Sequence, residues 1–213
     1  MFGSLFVSAI GNRFGRRQMV IFGSVTTFVF AALQAGSVGL PMFIIMRFLN
    51  GAAVGILTST VPPYIGELTK PKHRGLLMSL ELVIGSTGLM TAFWCLLGFG
   101  NYTGPVGWRV PLALQAAFVV ITITMLCWAP ESPRWLCEVG RVEEGERVLA
   151  QLWGAEFASA SIHEIREAIA VESETHVSGY KACFSGNKQC FRYRTLLSVG
   201  VNFLQQGEDR NAT

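Results

Sequence analysis

The chain has 213 residues, of which 51% are hydrophobic and only 15% are charged. A soluble globular domain carries about 25% charged residues, so this composition argues against one and predicts an integral membrane protein of the helical type. The formal net charge of +3 is small, and the basic residues do not form a stripe with interleaved aromatic residues, which argues against a nucleic-acid partner.

Long uncharged runs divide the chain into predicted membrane spans. Residues 18–46 and 110–130 contain no Asp, Glu, Lys, Arg or His, and a spanning helix needs about 20 mainly apolar residues. Met1–Ile10 is apolar but lacks the basic leader and cleavage site of a signal peptide, so we interpret it as the end of a helix whose beginning is missing. Four complete spans are then predicted, at residues 18–36, 42–62, 76–100 and 109–130, and residues 191–206 begin another.

The loops between these spans alternate in charge. Basic residues occupy the loops at 11–17 and 63–75, whereas the loops at 37–41 and 101–108 contain none. Because loops rich in Lys and Arg stay in the cytoplasm, this alternation predicts that residues 131–190 are cytoplasmic.

The stretch after the fourth span is predicted to form short amphipathic helices. Pro130 and Pro133 should end the incoming helix, because proline lacks an N–H and restricts the residue before it. Leu149 lies on an apolar face of the first amphipathic helix. Ser161, with Glu164 three residues later, resembles a capping box and predicts the start of the next helix.

The cysteines give no indication of a disulfide framework or a metal site. Cys95, Cys127, Cys137, Cys183 and Cys190 lie in predicted spans or in the polar stretch, and no His/Cys spacing suggests zinc. We therefore expect reduced thiols and no metal or cofactor.

Two charged residues lie inside predicted spans. Arg47 could extend its side chain toward the membrane surface, and Gly51 and Gly55 on the same span favour close helix packing. Glu81 could be a partner for a loop arginine, a lining residue of a polar path or a proton-titrating group, because ionisable residues in lipid usually pair or face inward.

Charged residues of both signs also gather at the predicted cytoplasmic face. Ion pairs between helix ends could close one side of a transport path, although exposed charges can equally be orientation signals that contribute little to stability. Orientation needs only Lys and Arg, so the acidic members slightly favour a gate. The candidate gate residues are Arg13, Arg16, Arg17, Glu67, Arg74, Glu131 and Arg134.

Motifs along the whole chain resemble the sugar porter family of the major facilitator superfamily, especially its fungal members. Pro130–Leu136 matches the family signature residue for residue, and Asn12 stands where the family usually has Asp. The other matching motifs are Gly11–Arg17, Arg47–Gly51 with Gly55, Val61–Glu67 with Arg74 and Gly75, Gly107–Arg109 with Pro111, and Gly140 with Arg141.

The resemblance implies an all-α, polytopic membrane bundle with a partial major facilitator fold, mainly its N-terminal six-helix half. Residues 1–10 would end the family's transmembrane helix 2, and residues 11–130 would form helices 3–6 with their cytoplasmic loops. Residues 131–190 would be the cytoplasmic amphipathic helices, and residues 191–213 would start a truncated helix 7.

The resemblance also implies a transporter rather than an enzyme. The expected partners are a small-molecule sugar, the lipid bilayer and, if uptake is coupled, protons. The sugar would be moved by alternating access, and the expected location is the plasma membrane. Glu81, Gln205, Gln206 and Asn211 would contact the sugar, although Glu208-Asp209-Arg210 departs from the family's helix-seven motif. An organic-ion transporter, a non-transporting sugar sensor and an inactive truncated product remain alternatives. We expect the isolated chain not to transport, because the substrate lies between two halves of the fold.

Overall fold

The computed structural model describes residues 14–100, 104, 106–174 and 200, and every regular element among them is helical. Contacts divide the chain into two units, Met1–Glu167 and Ala168–Thr213, and almost all of the described structure belongs to the first. The helices are α1 (Arg16–Ala35), α2 (Leu40–Leu68), a 3₁₀ turn (Pro71–His73), α3 (Arg74–Gly100), α4 (Val106–Leu126), α5 (Pro133–Glu138), α6 (Val142–Trp153) and α7 (Ala155–Glu174).

Four segments are long and apolar enough to cross a membrane. They are Arg16–Ala35, Leu40–Leu68, Pro71–Gly100 and Gly107–Leu126, with mean hydropathy between 1.5 and 1.8. None of the residues of α3 is buried, so this helix presents apolar side chains to its surroundings on every face. The described residues form helices only, four of them long enough to span a membrane, and this confirms the predicted all-α, polytopic architecture.

Helix α1 packs against both α2 and α4, while α3 packs mainly against α4. Its buried stripe is made largely of small and polar residues, which is typical of helix packing in membranes. A Cβ atom on Gly23 would lie 2.9 Å from Cδ2 of Leu57, so the absence of a side chain allows α1 and α2 to approach closely. The buried residues of α1 are Met19, Val20, Gly23, Ser24, Thr27, Ala31 and Gln34.

Helix α2 is longer than the sequence predicted. The expected span ended near Pro62, with a polar loop from residue 63, but α2 continues through Pro62 and Pro63 to Leu68. Each proline removes one helical hydrogen bond. The helix persists here because Tyr64 and Gly66 are buried and the Tyr64 hydroxyl donates to the Pro130 carbonyl. Tertiary contacts therefore override the local signal for a helix end.

The start of α7 also differs from the sequence-based prediction. The Ser161 capping box predicted a helix that begins at that residue, whereas α7 begins at Ala155 and Ser161 lies inside it. Gly154, with φ 94°, makes the turn between α6 and α7. Leu149, Ala158 and Ile162 form a small buried cluster. Because Ala158 packs in this cluster, the residues before Ser161 are also helical, and α7 starts earlier than the capping box predicts.

The four long helices have two ends with different chemistry. At one, which we call the Pro130 end, the start of α1 meets the ends of α2 and α4 and the short helix α5. At the other, which we call the Ser37 end, α1 finishes, and α2 and α4 begin.

Candidate functional site

The Pro130 end gathers several of the residues that the sequence pointed to. Glu131 accepts a hydrogen bond from the backbone N–H of Arg17 at 2.8 Å and another from the N–H of Ser132 at 3.1 Å. The first N–H groups of a helix have no partner within the helix, and its N-terminus favours negative charge. The Glu131 carboxylate therefore caps α1 from a distant part of the chain.

Gly15 makes this cap possible. Its φ is +78°, a conformation that side chains disfavour, and a Cβ there would lie 3.0 Å from Oε2 of Glu131 and 3.3 Å from Cε2 of Trp135. The glycine before the two arginines thus lets the backbone reach the carboxylate.

The guanidinium of Arg17 lies at the end of α4 rather than against a carboxylate. Its Nε donates to the Leu126 carbonyl at 3.2 Å, and its Nη2 donates to the Cys127 carbonyl at 2.7 Å. The Leu126 carbonyl also accepts from the Ala129 N–H at 3.2 Å, and the cation adds a charged donor to both carbonyls and matches the negative end of the helix dipole. Arg17 is therefore a cap for α4.

Glu67, near the end of α2, joins three elements. Its Oε1 lies 3.6 Å from Nε of Arg16 at the start of α1, with both side chains mostly buried. Its Oε2 accepts a 2.5 Å hydrogen bond from the Ser132 hydroxyl. Ser132 is fully buried and also accepts from the Trp135 N–H at 3.2 Å, so the same hydroxyl oxygen caps α5.

Two further candidate gate residues have partners that are close to them in the sequence. Arg74 donates from Nε to the Gly66 carbonyl at 3.1 Å, and Arg134 lies 3.5 Å from Glu138 on its own helix. Arg13 lies outside the described residues. The structure therefore brings Arg16, Arg17, Glu67 and Glu131 together at one end, with Arg74 beside them on the chain that follows Glu67.

A second connection at this end ties α6 to the end of α2. The indole Nε1 of Trp153 donates to the Leu68 carbonyl at 3.0 Å, and Nζ of Lys70 donates to the Trp153 carbonyl at 3.0 Å. Lys70 also lies 5.2 Å from the ring centroid of Phe157 on α7, within cation–π range. Side chains from each segment thus cap the C-terminal carbonyls of the other.

The candidate intramembrane residues lie away from these contacts. Glu81 on α3 is half-buried and Arg47 on α2 is exposed. Among the residues that the structure describes, neither side chain has a hydrogen bond or ion pair. Gln205, Gln206 and Asn211 lie outside the described residues.

Helices α3 and α4 border a mainly apolar groove of about 850 Å³. Its polar lining residues are Thr87, Thr91, Gln115 and Thr122, and Glu81 does not line it. In the described part of the chain, no group of three or more His, Cys, Asp or Glu side chains could hold a metal ion.

Sequence reasoning missed the roles of Gly15, Ser132, Tyr64 and Trp153. One signal was available, because Ser132 stands directly before Pro133 and this pair is typical of an N-cap followed by the first helical residue. The partners of Tyr64 and Trp153 are backbone carbonyls 66 and 85 residues away, which no local pattern indicates.

Comparison with known proteins gives a consistent result. The family pattern described as "Sugar (and other) transporter" matches residues 1–213. Sugar transporter STL1 of Saccharomyces cerevisiae is 32% identical, with 99% of this chain and 38% of the relative covered. MFS-type transporter oryC of Aspergillus oryzae is 33% identical, with 96% of this chain and 39% of the relative covered.

A solved structure matches the helical arrangement. The proton:xylose symporter XylE from E. coli aligns with a TM-score of 0.76 at 25% identity, covering 81% of this chain and 41% of that protein. The chain thus spans about two fifths of the length of the proteins it matches.

Proposed function

The chain belongs to the sugar transporter family, and on that premise we propose that it contributes the first bundle of helices to a carrier that moves a sugar by alternating access. It is a multi-pass membrane protein with a partial major facilitator fold, and its family is one of transporters rather than enzymes. In carriers of this kind the substrate lies near the midplane between two bundles that rock around it.

The observation that carries the proposal is the set of contacts around Glu67 at the Pro130 end. One carboxylate holds Arg16 of α1 and Ser132 of α5, while Glu131 holds the backbone of Arg17. All these contacts lie at helix ends, and they hold the ends of α1 and α2 and the segment before α5 together on one face of the bundle. That placement supports a closing surface that engages the second bundle in one state of the cycle and releases it in the other.

Arg13, Arg74 and Arg134 complete the proposed gate. Arg74 donates to the Gly66 carbonyl on the preceding helix α2, and Arg134 lies 3.5 Å from Glu138 on its own helix α5. Their guanidinium groups are suited to carboxylates or helix ends of the second bundle. We place this surface, and residues 131–190, in the cytoplasm on the charge of the loops.

For the substrate path we propose Glu81, Gln205, Gln206 and Asn211. Glu81 is half-buried on a helix that has no buried residue, and ionisable side chains in lipid usually pair or face a polar path. We therefore propose that its carboxylate faces the substrate path. The proposed substrate is a small sugar, protons are the proposed coupling ion, and the plasma membrane is the proposed location. The naming of XylE as a proton:xylose symporter supports the first two proposals.

Uptake of radiolabelled hexose in transport-deficient cells tests the function. The complete reading frame should give saturable uptake that unlabelled sugar competes, and Glu67→Gln should lower it at equal surface expression. Glu81→Gln should remove any pH dependence if Glu81 carries the proton. Uptake of an organic ion but of no sugar would overturn the substrate class. Sugar-dependent signalling without uptake would indicate a sensor, and neither activity would indicate an inactive product.

A further inference from the structure

Two Gly-Xaa-Arg sequences stand at the starts of two antiparallel helices. Gly15-Arg16-Arg17 begins α1, and Gly107-Trp108-Arg109 begins α4. The first belongs to the proposed gate, whereas the second has had no role beyond its family resemblance.

Each arginine reaches the far end of the other helix. Arg17 donates to the Leu126 and Cys127 carbonyls, where α4 ends. Arg109 donates from Nη2 to the Ser37 carbonyl at 3.1 Å, just beyond the end of α1. The contacts are reciprocal, one at the Pro130 end and one at the Ser37 end. Trp108 also packs edge-on against Phe43 of α2, with ring centroids 5.7 Å apart.

Helix electrostatics explains why the arginines stand where they do. A cation in the first turn of a helix is unfavourable for that helix, because its N-terminus carries partial positive charge. Neither α1 nor α4 has an acidic residue in its first turn or a basic residue in its last. The cation that each C-terminus favours is supplied by the start of its antiparallel neighbour.

The carbonyl groups at a helix end need donors from outside the helix. They have no i+4 N–H within the helix, so water or a side chain from another segment must serve them. The forked guanidinium of arginine can serve more than one carbonyl at once, which an ammonium group does less well.

We propose that Arg17 and Arg109 form a reciprocal clamp that fixes α1 and α4 as one rigid pair. Arg17 then serves this pair rather than the gate. Arg109 is a positioning residue that keeps the start of α4 against the end of α1 while other helices move during transport. This role in transport rests on the proposed function.

Distances between spin labels test the clamp in the 213-residue chain reconstituted in lipid nanodiscs. In a background with the native cysteines replaced by serine, labels at the exposed positions Val38 and Leu114 report on the Ser37 end. Labels at Phe22 and Met125, also exposed, report on the Pro130 end.

Arg109→Met should broaden the distance distribution at the Ser37 end and leave the Pro130 end narrow. Arg17→Met should do the reverse, and Arg109→Lys should restore part of the narrow peak because it keeps the charge. Arg147→Met, on the exposed side of α6, is the control for loss of a cation and should change neither distribution.

Three results would overturn the clamp. They are an unchanged distribution in Arg109→Met, equal broadening at both ends in either single variant, and no difference between the lysine and methionine variants at position 109. None of these distances measures transport, so failure here would leave the proposed sugar transport standing.

The positioning role has its own readout in the complete reading frame. Arg109→Met should lower the maximal uptake rate per surface-expressed carrier without changing KM, because the proposed sugar contacts lie on other helices. A raised KM with an unchanged maximal rate would overturn that role.

Discussion

The Glu131 carboxylate accepts a 2.8 Å hydrogen bond from the backbone N–H of Arg17, which lies 114 residues earlier in the chain. The bond connects the family signature after α4 to the basic motif at the start of α1. Because the acceptor is a charged group at a helix N-terminus, both the hydrogen bond and the helix dipole favour it. Two motifs that look like separate surface loops in the sequence are therefore one structural unit.

Substitution of Gly15 by alanine should destabilise this unit. The residue has φ +78° and ψ 155°, a region used almost only by glycine, and the new Cβ would meet the Glu131 carboxylate at 3.0 Å. We expect a loss of about 1–3 kcal/mol in the free energy of unfolding. Unfolding of the purified chain in mixed micelles with rising SDS measures it.

Gly51→Ala is the matched control for Gly15→Ala. Gly51 lies inside α2, and a Cβ added to it would have no neighbouring atom within 4 Å, so alanine there should be neutral or stabilise by up to about 1 kcal/mol. Equal destabilisation by both substitutions would contradict the specific role of Gly15.

Ser132→Ala should remove two interactions of one buried hydroxyl. It caps α5 through the Trp135 N–H and donates to Glu67. Loss of an N-cap alone costs about 0.5–2 kcal/mol. Because Glu67 loses a partner too, Ser132→Ala and Glu67→Gln should be non-additive by about 0.5–3 kcal/mol in a double-mutant cycle of unfolding free energies. Strict additivity would show that the two side chains act independently. Ser86→Ala, on an exposed face of α3, is the control.

Much of the helical architecture could be predicted from the sequence, because the bilayer requires long apolar runs. The four predicted spans correspond to the four candidate spans of the structure, with ends that differ by a few residues. The largest difference is the end of α2: local rules end the helix at Pro62 and Pro63, whereas the structure continues it to Leu68. The buried Tyr64, which donates to the Pro130 carbonyl, stabilises this continuation. Local signals fail where distant residues provide the missing interactions.

The partners of the charged residues could not be predicted. The predicted topology places Arg17 and Glu131 at the same end of the bundle, but it does not distinguish a carboxylate partner from a carbonyl partner. The Arg17 guanidinium binds carbonyls, while its backbone N–H binds the carboxylate. That choice depends on where α4 ends, at Leu126 rather than at Pro130 as predicted, and on the backbone path that Gly15 permits.

Trp153→Phe should loosen α6 from the end of α2. The substitution keeps an aromatic ring but removes the indole N–H that donates to the Leu68 carbonyl. One hydrogen bond of this kind contributes about 0.5–1.5 kcal/mol. Hydrogen exchange of the α6 amides should become faster by a matching factor. Trp128→Phe is the control, since Trp128 is 90% exposed and should leave this exchange unchanged. Unchanged exchange in Trp153→Phe would mean that the connection does not hold α6.

The Cys137 thiol on α5 should react slowly with alkylating reagents at neutral pH. Burial is the main cause that raises its pKa, the positive charge of Arg166 lowers it, and the negative charge of Glu138 raises it. The thiolate is the reactive form, so the alkylation rate increases as the thiol loses its proton. The pH at which this increase occurs should be higher in the folded chain than in the chain unfolded by SDS. By linkage, the neutral thiol favours the folded state below the pKa of the unfolded chain, and this contribution is lost as the pH rises through the folded pKa.

Two substitutions with opposite effects separate charge from burial at Cys137. Arg166→Met removes a nearby cation and should move the alkylation profile to still higher pH, whereas Glu138→Gln removes an anion and should move it to lower pH. Mass spectrometry of the Cys137 peptide after timed iodoacetamide treatment measures both rates. Profiles that move in the same direction would mean that the substitutions change burial rather than charge.

The backbone of α6 packs so closely here that a Cβ on Gly145 would lie 3.4 Å from the Cys137 sulfur. A folded profile that coincides with the SDS-unfolded one would mean that this packing does not shield the thiol.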